Sequence, residues 1–160
     1  MPSFISLPSP NFNDRDPNIA LRDIVLHYTG MESGEAARQK LCDPTAQASA
    51  HYVIEEDGRI FQLVDESKRA WHAGKSFWRG ITDMNSASIG IEIQNPGHQY
   101  GYRAFTLTQI SQLKILLQQI IERHKMDSKT CLLAHADIAP MRKEDPGELF
   151  PWRDLAVQGL

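Results

Sequence analysis

Apolar positions along this chain fall into short runs set apart by Pro, Gly, Asn and Asp clusters, with one long exception. The run Ile24-Val25-Leu26-His27-Tyr28 is β-branched and apolar and stops at Thr29-Gly30, which predicts a buried strand presenting His27 at its C-terminal end. Residues 50–54 and 59–64 read as two more strands, joined at Glu56-Asp57-Gly58, where the Asp-Gly pair signals a hairpin. Ser88 to Gln94 predicts a further strand, with Glu92 set between Ile91 and Ile93 and a turn at Asn95-Pro96-Gly97. The exception has a helical period: Ile110, Leu113, Leu116, Leu117, Ile120 and Ile121 mark one face of a helix that runs from a capping box at Thr106 and Gln109 to about Lys125. Such a stripe is core. A short helix from Ser33 or Gly34 to Leu41 ends at Asp43-Pro44, the run from Cys131 to Ala134 predicts a last strand delivering His135, and Trp152 to Val157 predicts a closing helical turn. Strands and helices interleave, which is compatible with a mixed α/β domain.

Three stretches lack any period. Residues 1–20 carry Pro2, Pro8, Pro10 and Pro17 and read as an extended arm over the surface, leaving residues 21–160 as one domain. The segment from Ala70 to Asn85 reads as a long surface loop, and loops of that length in a compact domain are usually functional. Behind His135, Pro140 and Pro146-Gly147 hold the chain as a loop rather than a helix, with Lys143 eight and Asp145 ten positions beyond the histidine.

Composition narrows the partners. A chain of 160 residues with 41% hydrophobic content has enough interior for one core without staples. Its net charge of −3 advertises no basic face, so nucleic acid is not expected as a partner, and a monomer is. Cys42 and Cys131 stand far apart in no CxxC arrangement, which favours a reducing compartment. No window reaches the roughly 20 apolar residues of a membrane span, and the N-terminus lacks a secretory pattern. The expectation is a cytoplasmic protein, with a periplasmic or outer-membrane-associated one left open should the chain be a processed form.

His27 and His135 thus stand at the ends of two apolar strands. Adding Asp145 gives two imidazoles and a carboxylate, the ligand count of a catalytic zinc site, although no local motif fixes their geometry. Asp137, only two residues from His135, is the rival carboxylate; tying the loop to backbone N–H groups is its other role.

The strings VLHYTG, SAHYVIEEDGRI, AWHAG, SIGIEIQN and HADIAPMRKEDPGELFPW, in this order, resemble the zinc-dependent N-acetylmuramoyl-L-alanine amidases of the AmpD and AmiD type, over roughly residues 20 to 155. The resemblance implies a mixed α/β fold like that of peptidoglycan-recognition proteins, a central mixed sheet flanked by helices. It implies zinc held by His27, His135 and Asp145, a catalytic Glu92 and an active-site Lys143. It further implies hydrolysis of the amide between N-acetylmuramic acid, 1,6-anhydro forms included, and L-alanine of the stem peptide. Peptidoglycan fragments would then be the substrates, in wall recycling or turnover. Two alternatives share the scaffold: a peptidoglycan-binding module without catalysis, and a zinc amidase acting on a different amide. Trp71, Trp78 and Arg79 on the aperiodic loop are candidates to hold a sugar ring and a peptide carboxylate, with ordinary loop packing as the competing account. His51 and His72 fall in matching blocks, either to orient a ligand, to touch substrate or to pack.

Overall fold

The computed structural model describes residues 4–160 of the chain. Its strands are β1 (Phe4–Ser6), β2 (Phe12–Asp14), β3 (Asp23–Tyr28), β4 (Tyr52–Ile54), β5 (Ile60–Gln62), β6 (Lys68–Ala70), β7 (Ser88–Ile93) and β8 (Leu132–Ala134). Its helices are α1 (Gly34–Cys42), α2 (Met84–Ala87), α3 (Gly97–Tyr100), α4 (Leu107–His124), α5 (His135–Ile138) and α6 (Trp152–Ala156). Six strands form a mixed sheet in the order β1-β5-β4-β7-β3-β8, and β2 pairs with β6 beside it. The predicted hairpin is the antiparallel pair β4-β5, while β3, β4, β7 and β8 run parallel.

Strand alternation gives the sheet two faces of different character. Ile24, Leu26, Ile89, Ile91, Ile93 and Ile54 point one way and are buried against the α4 stripe of Leu113, Leu116, Leu117 and Ile120. Each such side chain contributes about 1.5–3 kcal/mol by leaving water. The helix that supplies the stripe is capped as its sequence predicts: the Gln109 N–H donates to Thr106 Oγ1 at 3.1 Å and the Thr106 N–H to Gln109 Oε1 at 3.0 Å. The opposite face carries Val25 and His27 of β3, Gly90 and Glu92 of β7, and Leu133 of β8, covered by Ala73, Met84, Ala87 and Ile138. Register sets what meets at the sheet's edge. His27 is paired with Glu92, and β8 reaches Ala134 opposite Leu26, so His135 follows beside His27. Open parallel sheets bind ligands just outside such carboxyl ends.

Three segments differ from the sequence expectation. The N-terminal arm is extended but also adds β1 and β2 to the sheets, and its first three residues lie outside the described ones. The aperiodic loop after Ala70 is not confined to the surface: His72 and Ala73 are buried, because Asn85 Oδ1 accepts both their N–H groups, at 3.0 and 2.7 Å. After His135 the chain makes one helical turn, α5, before becoming a loop, since Asp137 Oδ2 accepts the Ala134 N–H at 2.7 Å and so caps that turn. Among the described residues, no helix is long and apolar enough to cross a membrane.

Truncating Leu117, fully buried on the α4 stripe, is expected to cost about 2–5 kcal/mol in urea unfolding. Leu107→Ala, at a side chain 88% exposed on the same helix, should stay within about 0.5 kcal/mol. Equal losses at the two positions would show that the stripe does not carry the core.

Candidate metal centre and substrate groove

At the carboxyl ends of β3 and β8 three ligand atoms converge. His27 Nδ1 and His135 Nδ1 are 2.9 Å apart, and Asp145 Oδ2 lies 3.1 Å from each. All three residues are buried, and together they form a group able to hold a metal ion. Strand geometry brings the two histidines; Asp145 is returned to them by the loop behind α5, whose backbone is tied where the Ala136 N–H donates to the Asp145 carbonyl at 3.1 Å.

The outward ring nitrogens are also engaged. His135 Nε2 donates to the Ala73 carbonyl at 3.0 Å, which leaves its Nδ1 with a free lone pair. His27 Nε2 lies 3.0 Å from His72 Nδ1, and His72 Nε2 is 3.4 Å from Ser88 Oγ. His72 therefore stands directly behind a ligand atom's ring. Its own ring rests on Gly90, where an added Cβ would fall 2.3 Å from His72 Cγ, so the strand needs glycine there.

Electrostatics suits a cation. Burial, with the neighbouring His135, lowers the His27 pKa to about 4, although Asp145 opposes the shift. Burial, then His27 and His51, hold His72 well below the ordinary imidazole value. Burial pushes the Asp145 carboxyl up, but the hydrogen bonds of His135 and His27 win and keep it well below the usual carboxylate range. A neutral His27 imidazole and an ionised Asp145 carboxylate are protonation states that suit metal binding. Two nitrogens and one oxygen also form a donor set that fits a divalent transition metal and leaves coordination positions over. Asp137, the rival carboxylate, is spent on the Ala134 N–H.

Glu92 is beside this triad by register, on the same face as His27. Its Oε2 is buried with no hydrogen-bond partner. Burial, reinforced by the charge of Asp145 and opposed by Lys143 and Lys40, raises its pKa well above the normal value. Lys143 is half-buried on the loop between His135 and Asp145 and joins the lining of a groove of about 690 Å³, within the roughly 300–1,000 Å³ usual for small-molecule sites.

The remaining candidates divide. Trp71 lines the groove, its Nε1 donating to Asn13 Oδ1 at 3.0 Å, and His72 closes its floor. His51 lies deeper, outside the groove lining: its Nδ1 accepts the Gly90 N–H at 2.9 Å and its Nε2 is 3.0 Å from the Lys68 carbonyl. Trp78 and Arg79 lie outside the groove lining. Trp78 packs with Ile19 and Ile81 on the Val25 cluster, and a tight Trp78-to-Ile81 turn with positive φ at Arg79 and Gly80 carries the guanidinium away over the indole face. Among the groove residues that the sequence reading did not assign to the site are Tyr28, His98 and Lys40. Lys40 was findable, being exposed one turn beyond the buried Ala37 on α1, but nothing in the sequence around His98 marks it.

His51 offers a test of how sealed this region is. Burial, with Arg15 adding to it, lowers its pKa from 6.5 to about 3, so the unfolded chain takes up this proton first. Its contribution to stability is therefore intact above pH 6.5 and is lost as pH falls toward 3, by at most about 1.4 kcal/mol per pH unit. Ring-nitrogen shifts followed by NMR should show a neutral His51 at pH 5, and a midpoint near 6.5 in the folded state would contradict the burial argument.

Known proteins are similar to this chain over most of its length. The sequence profile described as N-acetylmuramoyl-L-alanine amidase matches residues 17–148. The N-acetylmuramoyl-L-alanine amidase AmiD of Escherichia coli (strain K12) is 41% identical over 152 residues, covering 88% of this chain and 54% of that protein. The 1,6-anhydro-N-acetylmuramyl-L-alanine amidase AmpD of the same strain is 34% identical over 168 residues, covering 94% and 89%. The structure of E. coli AmiD in complex with the substrate anhydro-N-acetylmuramic acid-L-Ala-D-gamma-Glu-L-Lys superposes with a TM-score of 0.78 at 38% identity, covering 92% of this chain and 61% of that one. The chain thus spans about half the length of AmiD and nearly nine tenths of AmpD.

Proposed function

The chain belongs to the N-acetylmuramoyl-L-alanine amidase family, and from that premise we propose that it is a zinc-dependent hydrolase cutting the amide between N-acetylmuramic acid and L-alanine of the stem peptide. The observation that carries the proposal is the buried convergence of His27, His135 and Asp145 beside Glu92 and Lys143 in one groove. Zinc, when bound, supplies Lewis acidity, which polarises an amide carbonyl and makes water nucleophilic near neutral pH.

The chain's own groups do the rest. Glu92, with an unpartnered Oε2 and a raised pKa, accepts the proton of the attacking water as oxygen adds to the lactyl carbonyl carbon. It then gives that proton to the alanine nitrogen as the C–N bond breaks, so an acid and an amine leave. Lys143 places a positive charge beside the oxygen on which negative charge develops. His72 and the Ala73 carbonyl hold the two ligand rings in orientation. Trp71 and Lys40 offer the stem or sugar an apolar face and a cation.

The names of the relatives support peptidoglycan fragments, 1,6-anhydro forms among them, as the substrate class. We extend that to wall recycling or turnover, with a cytoplasmic site of action as the first expectation. Digestion of anhydro and non-anhydro muropeptides side by side, with product masses read out, tests the reading. Free L-alanine-started peptide and the matching sugar are expected. Binding without cleavage would instead favour the non-catalytic module.

Asp145→Ala should lose zinc and activity together, while Asp137→Ala keeps the metal; full zinc occupancy in Asp145→Ala would remove it from the ligand set. Glu92→Gln should retain zinc yet lower turnover by about 10²–10⁴-fold, and near-normal turnover would exclude Glu92 from proton transfer.

Recognition separates by KM. Trp71→Ala should raise KM with kcat little changed, because it removes binding common to ground and transition states. Arg79→Ala, away from the groove, should leave KM as it is, and a rise there would show that substrate extends past the groove as described.

A further inference from the structure

The loop that carries Lys143 and Asp145 is gripped from one side by three rings. His98, on α3, stacks on Tyr102 with ring centroids 4.3 Å apart and an interplanar angle of 26°. Its Nε2 lies 2.9 Å from Glu148 Oε2 and its Nδ1 3.3 Å from Glu144 Oε1, so it spans the two carboxylates that bracket Asp145. Tyr28, next in sequence to His27, has its hydroxyl 3.1 Å from His98 Nδ1 and 3.3 Å from Glu144 Oε1. Tyr102 holds the backbone: its hydroxyl donates to the Pro146 carbonyl at 2.8 Å and accepts the Leu149 N–H at 3.0 Å.

The fit is close enough to require glycine on both sides. A Cβ at Gly97 would fall 2.7 Å from the Tyr28 ring, and one at Gly147 would fall 2.4 Å from the Tyr102 hydroxyl, with φ of +72° and +85° at the two positions. Apart from the Asp145 carboxylate, the loop is held elsewhere by few bonds, all of its backbone: the Lys143 N–H to the Ala139 carbonyl at 3.0 Å, the Ala136 N–H to the Asp145 carbonyl at 3.1 Å and the Phe150 N–H to the Gly147 carbonyl at 3.2 Å. From Pro146 to Leu149 the Tyr102 hydroxyl is the main backbone anchor.

We propose that Tyr28, His98 and Tyr102 form a clasp of positioning residues that fixes the 143–148 loop, and with it the Lys143 ammonium and the Asp145 carboxylate. The inference rests on the amidase reading for what those two groups do, but the clasp itself is defined by contacts to neither of them. A catalytic constellation must be held to within about 0.5 Å, and a misplacement of about 1 Å can cost 10²-fold in rate. The residues supplying that tolerance are on β3 and on the segment between β7 and α4, so the clasp joins the loop to two separate parts of the chain.

Two small substitutions test this. Tyr102→Phe removes only the hydroxyl, and His98→Phe keeps the ring stack but removes both carboxylate contacts. In Tyr102→Phe, hydrogen exchange of the Leu149 amide should rise at least about tenfold, zinc release to a chelator should speed several-fold, and kcat should fall about tenfold with KM within about twofold. His98→Phe should shift release and kcat in the same direction, and His98→Gln, whose amide can still donate to Glu148, should recover part of the loss. Thermal midpoints close to wild type are expected in all three. Wild-type zinc release and kcat in both phenylalanine variants would overturn the clasp, as would a change confined to KM, which would make these rings substrate contacts. A wild-type protein that neither holds zinc nor cleaves muropeptide overturns the amidase reading instead, while Leu149 exchange in Tyr102→Phe still reports on the clasp.

Discussion

Holding two imidazole nitrogens and a carboxylate oxygen within 3.1 Å of one another, away from water, is the demand around which this fold is arranged. For a metal to be held there, each ring must keep a lone pair pointed inward, so each needs a partner for its other nitrogen. The Ala73 carbonyl and His72 are those partners, and both belong to a segment with no regular structure. That segment can be buried only because Asn85 takes up its N–H groups, and His72 fits only because β7 has glycine at position 90. One local requirement thus propagates through a loop, a one-turn helix and a strand.

The sheet separates stability from chemistry by its faces. Isoleucines and leucines of β3, β4 and β7 meet the α4 stripe on one side, where burial is continuous. On the other side the same strands carry His27 and Glu92 among small residues such as Gly90 and Ala73. Alternation along a strand makes this division possible at no cost in chain length, since neighbours in sequence serve opposite purposes. Parallel register then places the functional residues of separate strands side by side.

Much of this was legible because it depends on period and punctuation. The α4 stripe, the Thr106–Gln109 box, the hairpin and the two strands ending at histidines all follow from local patterns that the tertiary structure reinforces. The cluster of His27, His135 and Asp145 was nameable from residue types at strand ends and from the family motifs, but spacing alone did not decide between Asp137 and Asp145; in the structure Asp145 joins the two histidines while Asp137 accepts the Ala134 N–H. Illegible features are those set by where aperiodic chain runs. Aromatic and cationic residues at positions 71, 78 and 79 look equivalent in sequence, yet a tight turn at Arg79 and Gly80 sends two of them away from the groove. His98 gave no signal because its two carboxylate partners, Glu144 and Glu148, are far from it in sequence.

Glu92 shows how such a site departs from the rules that govern the rest of the protein. A buried carboxylate oxygen without a donor is unfavourable by a few kcal/mol if charged, and most buried polar atoms avoid that state. The fold does not relieve it: β7 holds the residue by its backbone between two buried isoleucines, and the ladder to His27 prevents it from turning to the other face. The nearby charge of Asp145 makes ionisation harder, whereas Lys143 and Lys40 make it easier. A group held in this way has its charge set by burial and by the charges around it, which is the property that the proposed proton transfer through Glu92 would draw on. The Ile91 and Ile93 packing that fixes β7 on one face is therefore what keeps Glu92 in that setting on the other.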